Sequence, residues 1–369
     1  MTEHHSFAHL VLLGALANVV LGLLVLVAYR LVTRERFGPW AVVAVGAVTG
    51  AFAVVQVAMI GDGFGKLHVL YLWVFLTLPV LGVVVLLAGL VPSLRPTRWG
   101  AIGAGGLAVL GAVGFYGTHL EPYWIRTERV TLDVAPVDGE PIRVGVLADI
   151  QTDSIGDYER DAIDRLMREE PDLVLVAGDF VQDDEAGFLS QLDGLRGLLG
   201  ELAAPGGVFV VEGDVDSPER MAMMTEGLDV DWLDHEVVTT EVRGVTIHIG
   251  GIPPSYDSPR SRATIAELAG SDGAGLRILL SHRPDAVDEV PEGGVDLVVA
   301  GHTHGGQVRL PLVGPPITMS GVPRSVAGGG LHAVDGVPIY LSNGVGMERH
   351  QAPQVRLGDR PSVGVVTLT

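Results

Sequence analysis

Four long apolar runs open the chain, at residues 8–28, 40–60, 67–91 and 100–118. Each is close to the roughly 20 apolar residues that a helix needs to cross a bilayer. Only short polar breaks separate them. The pattern therefore predicts a four-helix transmembrane region over residues 1–118, not the core helices of a soluble domain. The fourth run is rich in glycine. Gly103, Gly106, Gly111 and Gly114 are small enough to let helices approach closely. Asn18 and Gln56 are lone polar groups inside spans, and they predict hydrogen bonds between helices.

From Pro141 the pattern changes. Short apolar runs at 142–148, 173–177, 208–211, 277–280, 295–300 and 363–368 read as buried strands. Residues 158–169 and 188–199 have helical spacing. Residues 236–250 read as a hairpin that turns at Arg243-Gly244. Strand–helix alternation followed by hairpins predicts an α/β domain over 141–369, with layered mixed sheets flanked by helices. Residues 119–140 are expected to link it to the spans.

Charge separates the same two regions. The chain has 44 acids and 24 Lys and Arg. Three of those acids and six of those bases fall in residues 1–119, so the remainder carries a net charge of −23. An acidic domain without a basic patch excludes nucleic acid as a partner. The absence of cysteine excludes disulfides and thiolate metal sites. Basic residues also suggest an orientation. Arg30, Arg34, Arg36, Arg95 and Arg98 lie in the first and third loops, against Lys66, Arg126 and Arg129 on the other side. The excess places loops one and three in the cytoplasm. The expectation is a multi-pass cell-membrane protein with its acidic domain outside the cytoplasm.

Candidate chemistry gathers at strand ends. The first strand stops at Asp149-Ile150-Gln151, the second at Gly178-Asp179 and the third at Glu212-Gly213-Asp214-Val215-Asp216. Later strands stop at Ser281-His282 and at Gly301-His302-Thr303-His304-Gly305-Gly306. In open α/β sheets, ligands bind beyond the carboxyl ends of strands, so these residues can converge. Carboxylates and imidazoles together suit divalent transition metals, and a metal pair can bind phosphate and activate water. The plainer reading of one strand-end aspartate, Asp149 or Asp179, is a cap for the next helix. Five strand ends that all carry ligand types argue against that reading for the set.

This order of motifs resembles the calcineurin-like metallophosphoesterase superfamily, and within it the bacterial membrane-associated branch typified by YkuE. The similarity runs from about Arg143 onward. Its most specific stretches are Ala300–Pro311, reading AGHTHGGQVRLP, and Tyr340–Gly346, reading YLSNGVG. The resemblance implies two metal ions bridged by Asp179. One ion would also take Asp149, Gln151 and His304; the other would take Asp214, His282 and His302. It implies phosphoester or phosphoanhydride cleavage by a hydroxide held between the ions, with Asp179, Asp214 and His302 in the catalytic set.

Three positions depart from the family pattern. Gln151 stands where the family has histidine, and Asp214 where it has asparagine. Both changes favour hard ions, so Mn²⁺ or Mg²⁺ is expected over iron or zinc. Val215 replaces the histidine that contacts phosphate and serves as proton donor, which leaves Asp216 without the partner it would orient. His350, His332 and His235 are candidate replacements by type alone. Alternatively, the leaving group needs no proton, or the site binds metal and phosphate without much turnover. The main expectation is a membrane-anchored phosphohydrolase acting on a phosphorylated small molecule or a lipid-linked or envelope substrate. The rival is a catalytically weakened metal- and phosphate-binding membrane sensor.

Overall fold

A computed structural model describes residues 2–134, 137, 139–271 and 274–369. The chain divides into two compact units. One comprises Met1–Leu120 with Glu348–Val355, and the other Glu121–Met347 with Arg356–Thr369.

The first unit is helical. Four candidate spans cover His9–Thr33, Pro39–Met59, Gly63–Ala88 and Arg98–Tyr123, each long and apolar enough to cross a membrane. The third is interrupted by a π-turn at Trp73–Thr77, just before Pro79. Proline has no N–H to donate, so the regular ladder cannot run through it unbroken. As expected, Asn18 donates from Nδ2 to Gln56 Oε1 at 3.2 Å, across two helices. The glycines of the last helix are used unevenly. A Cβ on Gly114 would lie 2.6 Å from Phe75, and one on Gly111 3.0 Å from Pro79. Gly106 faces open space, so close packing does not explain it. The first and third loops meet: Arg30 donates to the Ser93 carbonyl at 2.8 Å, and Arg36 to the Arg95 carbonyl at 2.7 Å.

The second unit contains two six-stranded sheets. Its strands are β1 (Arg126–Leu132), β2 (Ile142–Leu147), β3 (Leu173–Val176), β4 (Val208–Val210), β5 (Asp231–Trp232), β6 (Glu236–Val242), β7 (Val245–Ile252), β8 (Leu276–Ser281), β9 (Leu297–Ala300), β10 (Gly330–Val334), β11 (Val337–Leu341) and β12 (Ser362–Leu368). One sheet runs β1-β12-β2-β3-β4-β5, the other β10-β11-β9-β8-β7-β6. Residues 119–140 are therefore more than a connector. Arg126–Leu132 pairs in parallel with Ser362–Leu368. Its polar-rich sequence, RTERVTL, suits an edge strand and hides it among loop residues. Positions 135, 136 and 138 of the expected linker lie outside the described residues.

Strand alternation sorts the core into layers. Leu173 and Leu175 of β3 point between the sheets, where they meet Ile247, Ile249, Ile278 and Leu280. Val174 and Val176 point the other way, onto Ile163 and Leu166 of helix Asp157–Met167 and Leu195 and Leu198 of helix Glu185–Leu199. The outer face of the second sheet buries Leu279 and Val298 against Ile265 and Leu268 of helix Pro259–Ala269. The β2, β3 and β4 strands run parallel, and β7, β8 and β9 do likewise. Their carboxyl ends therefore lie at one edge of each sheet, which is where the candidate residues fall.

Candidate metal centre

Asp149 and Asp179 are not helix caps. The following helices are capped by Gly156 and by Asp184, whose side chain accepts from Gly187 N. Instead, Asp149, Gln151, Asp179, His302 and His304 all adopt positive φ, between 34° and 73°. Left-handed backbone is unfavourable for such residues, and it clusters where function requires it. Glycines permit the crowding. A Cβ on Gly213 would lie 2.2 Å from Asp179 N, so the loops after β3 and β4 can touch only because Gly213 has none.

Two groups of ligand atoms result, one from Asp214, His282 and His302 and one from Asp149, Asp179 and His282, each within 4.8 Å. His304 approaches the second group, with Nε2 3.9 Å from Asp149 Oδ1. Six of the seven expected residues therefore converge. Gln151 sits alongside: its backbone N–H donates to the Asp179 carbonyl at 2.9 Å, and its Nε2 donates to Gln182 Oε1 at 3.0 Å.

Ring orientation shows that the set fits a cation. His282 Nδ1 lies 2.7 Å from the Ala177 carbonyl, which can only accept, so Nδ1 carries a proton. Nε2 is left buried without a hydrogen bond, 3.4 Å from Asp179 Oδ2 and 3.5 Å from Asp214 Oδ2. His302 repeats the device. Its Nε2 donates to the Met319 carbonyl at 3.0 Å, and its Nδ1 lies 2.8 Å from Asp214 Oδ2. Each inward nitrogen faces carboxylates, so a positive charge belongs there: a proton when the site is empty, and a metal ion in its place when one is bound. Backbone carbonyls orienting imidazoles in this way are the usual outer layer of a metal site.

The titration behaviour agrees. Burial pushes Asp149 up to about 7, although His282 works against it. Burial opposes a charged His282, yet Asp179, Asp214 and Asp149 outweigh it and push the imidazole up to about 10. Burial also opposes ionisation of Asp214, but the imidazoles of His282 and His302 and the guanidinium of Arg283 beside it hold it well below the usual carboxylate range. Burial, then Arg356, keeps His304 well below its ordinary value and therefore neutral, as a metal ligand must be.

Asp216 has a different partner from the one the sequence suggested. Its carboxylate accepts from Asp179 N at 2.8 Å, Gly213 N at 2.9 Å and Phe180 N at 3.1 Å. It braces two strand-end loops, whatever stands at 215. Val215 contributes through its backbone, donating to Asp179 Oδ1 at 3.0 Å. Of the candidate proton donors, His235 is engaged by Asp234 and Ser261, and His332 by the Gly329 carbonyl. His350 groups with the helical unit.

Sequence reasoning missed two arginines. Arg283 donates to Asp214 from Nε at 2.9 and 3.1 Å, and its Nη2 lies 2.7 Å from Oδ1. Its place directly after His282 was the available signal. Arg356 is wholly buried; it donates from Nη2 to the carbonyls of Asn343 and Gly346, both at 2.7 Å, and contacts Asp359. It fixes the loop carrying the YLSNGVG motif, whose Gly346 N donates to the Asp149 carbonyl at 2.6 Å. No local pattern marks it.

Stacked mixed sheets with acids and imidazoles at adjoining strand ends define a metal-dependent hydrolase. Comparison with known proteins supports this. Residues 142–306 match the family model for calcineurin-like phosphoesterases. The chain is 30% identical to a metallophosphoesterase of Aquifex aeolicus, over 71% of this chain and 97% of that one. It is 28% identical to metallophosphoesterase YkuE of Bacillus subtilis, over 73% and 94% of the two chains. It is 29% identical to phosphodiesterase YaeI of Escherichia coli, over 69% and 92%. Among solved structures, NAD nucleotidase of Haemophilus influenzae matches with a TM-score of 0.40 and 14% identity, and the likeness spans about half of that chain (51%). The chain belongs to the calcineurin-like metallophosphoesterase family and is a metal-dependent phosphoesterase.

Proton linkage gives a first test. Without metal, Asp149, Asp216 and His282 are pushed up to about 7, about 6 and about 10 in the folded chain, from ordinary values of 3.8, 3.8 and 6.5. Burial is the main cause for Asp216, as for Asp149. The two raised acids cost nothing below about 4, and their full cost is reached above about 7. The raised histidine stabilises fully below about 6.5, and that stabilisation is lost as pH rises through about 10. All three effects weaken the metal-free fold as pH rises. A metal ion would replace the protons on Asp149 and on His282 Nε2, so Mn²⁺ should stabilise more at about pH 8 than at about pH 5.5. At a hundredfold excess over its dissociation constant, the metal would contribute about 2.7 kcal/mol. Thermal unfolding of the purified chain in EDTA and in Mn²⁺, at both pH values, checks this. A wider gap at the lower pH would contradict it.

Proposed function

We propose that this phosphoesterase is anchored by its four apolar helices, holds two divalent cations, and cleaves a phosphoester or phosphoanhydride on a lipid-linked or envelope substrate outside the cytoplasm. The observation that carries the proposal is the set of imidazole nitrogens aimed at converging carboxylates. Asp149, Gln151 and His304 would hold one cation and Asp214, His282 and His302 the other, with Asp179 between them. When bound, such cations neutralise phosphoryl oxygens and make water acidic enough to serve as a nucleophile. Oxygen donors at positions 151 and 214 favour Mn²⁺ or Mg²⁺.

The rest falls to the chain's own groups. Asp216 braces the loops that carry Asp179 and Asp214, and Asp149 is fixed by the His302 backbone N–H at 2.9 Å. Arg283 supplies a fixed cation beside Asp214, on the open side of the cluster, with 41% of its side chain exposed. Valine at 215 provides no proton, so substrates whose leaving groups depart as anions are favoured. The contact between loops one and three fits their sharing one side of the membrane, and their arginine excess makes that side cytoplasmic.

Hydrolysis of bis-p-nitrophenyl phosphate by the purified full chain, with and without Mn²⁺, tests the reading. Mn²⁺-dependent turnover abolished by EDTA is expected. Metal binding without turnover of any aryl diester or anhydride would favour the sensor. Stoichiometric zinc after native purification would overturn the metal preference.

A further inference from the structure

The segment after the His-Thr-His motif differs in character from the domain that carries it. Residues 297–334 contain no acid, although the domain's net charge is strongly negative. Within them, Leu310, Leu312, Val313, Ile317 and Met319 are all exposed. Leu312 is fully so, at 109% of its reference area, and it adopts a positive φ of 67°. A leucine in left-handed backbone with its whole side chain in water is unfavourable on both counts. The turn is nonetheless well formed. Leu310 and Gly314 exchange backbone hydrogen bonds at 3.1 and 2.9 Å, so Leu312 and Val313 are held at its tip.

Behind the tip lies a cavity of about 270 Å³, lined by Leu312, Val313, Pro315, Arg309 and Arg324. Arg324 makes no ion pair and no side-chain hydrogen bond among the described residues. Arg309 is bound on one side only: its Nη2 reaches the Gly328 carbonyl and lies 3.5 Å from Asp359 Oδ1, while its buried Nε has no partner. The acid nearest the loop's far end, Asp285, is occupied by Ser320 Oγ and Gly321 N, both at 2.7 Å. The patch therefore combines apolar side chains at a tip with arginines behind them. That is the order of layers met on entering an anionic membrane surface, and tryptophan- or leucine-tipped, arginine-flanked elements suit such interfaces. The same chain carries four helices apolar enough to cross a bilayer, which would keep the domain within tether length of one.

We propose that the 310–319 loop is a membrane-contacting element, with Leu312 and Val313 entering the acyl region while Arg309 and Arg324 meet anionic lipid headgroups. The loop is continuous with the metal centre, because the Met319 carbonyl accepts from His302. A bilayer engaged by the loop would lie beside the mouth of the site. The proposal needs membrane attachment, but it does not depend on turnover.

The chain has no cysteine, so Leu312→Cys offers a single attachment point for an environment-sensitive NBD fluorophore. The full-length variant is placed in phosphatidylcholine vesicles, with and without phosphatidylglycerol. A label at exposed Glu292→Cys serves as control. In the anionic vesicles, the label at 312 should shift to the blue and lose most of its emission when acyl-brominated lipids are included; the control should do neither. Adding Arg324→Gln should reduce quenching in anionic vesicles to the level seen with neutral lipid. An unshifted, unquenched label overturns the proposal. So does a blue shift without bromolipid quenching, which would mean a protein surface, such as a second copy, covers the loop. Quenching that ignores both phosphatidylglycerol and Arg324→Gln overturns the headgroup assignment. None of these readouts requires hydrolysis, so they stand apart from any failure of the catalytic reading.

Discussion

Asp179→Asn should lower Mn²⁺-dependent hydrolysis of bis-p-nitrophenyl phosphate by roughly a thousandfold. The substitution is nearly isosteric. Asparagine keeps an oxygen for the Val215 N–H, now 3.0 Å from Oδ1, and Asp216 still accepts from the backbone N–H of residue 179. What is lost is the charge next to His282, 3.4 Å from Nε2. In the proposed site Asp179 would be shared by two cations and its loss would weaken both, and metal-supplied charge stabilisation amounts to several kcal/mol, at 1.36 kcal/mol per tenfold in rate. Initial rates across a Mn²⁺ titration, with metal content measured on the same sample, check the expectation. A variant within tenfold of the parent at saturating Mn²⁺, with its metal retained, would remove Asp179 from the centre of the site.

That prediction depends on convergence, and convergence was only partly legible in the sequence. The long apolar helices were readable because their length and composition are local properties, and no distant partner is needed to recognise them. The strands were readable for a similar reason. Leu173–Val176 is apolar at every position because it is buried on both faces, and such runs stand out between polar loops. The same uniformity hid which of its side chains face the other sheet and which face the helices. Strand Arg126–Leu132 was hidden for the opposite reason. Its alternating polar residues look like a linker, and its partner lies more than 200 residues away.

The site shows the same division. Asp149, Asp179, Asp214, His282, His302 and His304 could be picked out because a ligand type at a strand end is a local signal. Their supports could not. Asp216 looked like half of a broken pair, yet it accepts three backbone N–H groups that only the fold brings together. Arg356 lies in an undistinguished stretch of sequence, and its carbonyl partners belong to a loop about ten residues away. Each of these roles needs a contact between segments whose meeting depends on the whole topology.

Val215→His is the change expected to raise activity, and only for some substrates. Histidine at this position could serve as the proton donor that valine cannot be, and general acid catalysis supplies roughly 10²–10⁴-fold where a leaving group needs it. The native enzyme should therefore slow steeply as the leaving group becomes more basic, with alkyl diesters far behind p-nitrophenyl diesters. Restoring histidine should raise alkyl-ester rates by about a hundredfold or more and leave the p-nitrophenyl rate nearly unchanged, because p-nitrophenolate departs without a proton. The backbone can accept the exchange. Residue 215 is only partly buried, and its tie to Asp179 runs through its N–H, which histidine retains. Asp216 will not serve as the orienting partner, because three N–H groups already occupy it; Glu212, pushed up to about 7 by burial and neighbouring acids, lies in the same loop. The gain should thus fall short of the upper limit. Rates on a series of diesters with graded leaving-group pKa, for both proteins, decide the matter: the native slope should be steep and the variant's shallow. Parallel slopes would mean that another group already delivers the proton, and the choice of leaving group would no longer follow from the valine.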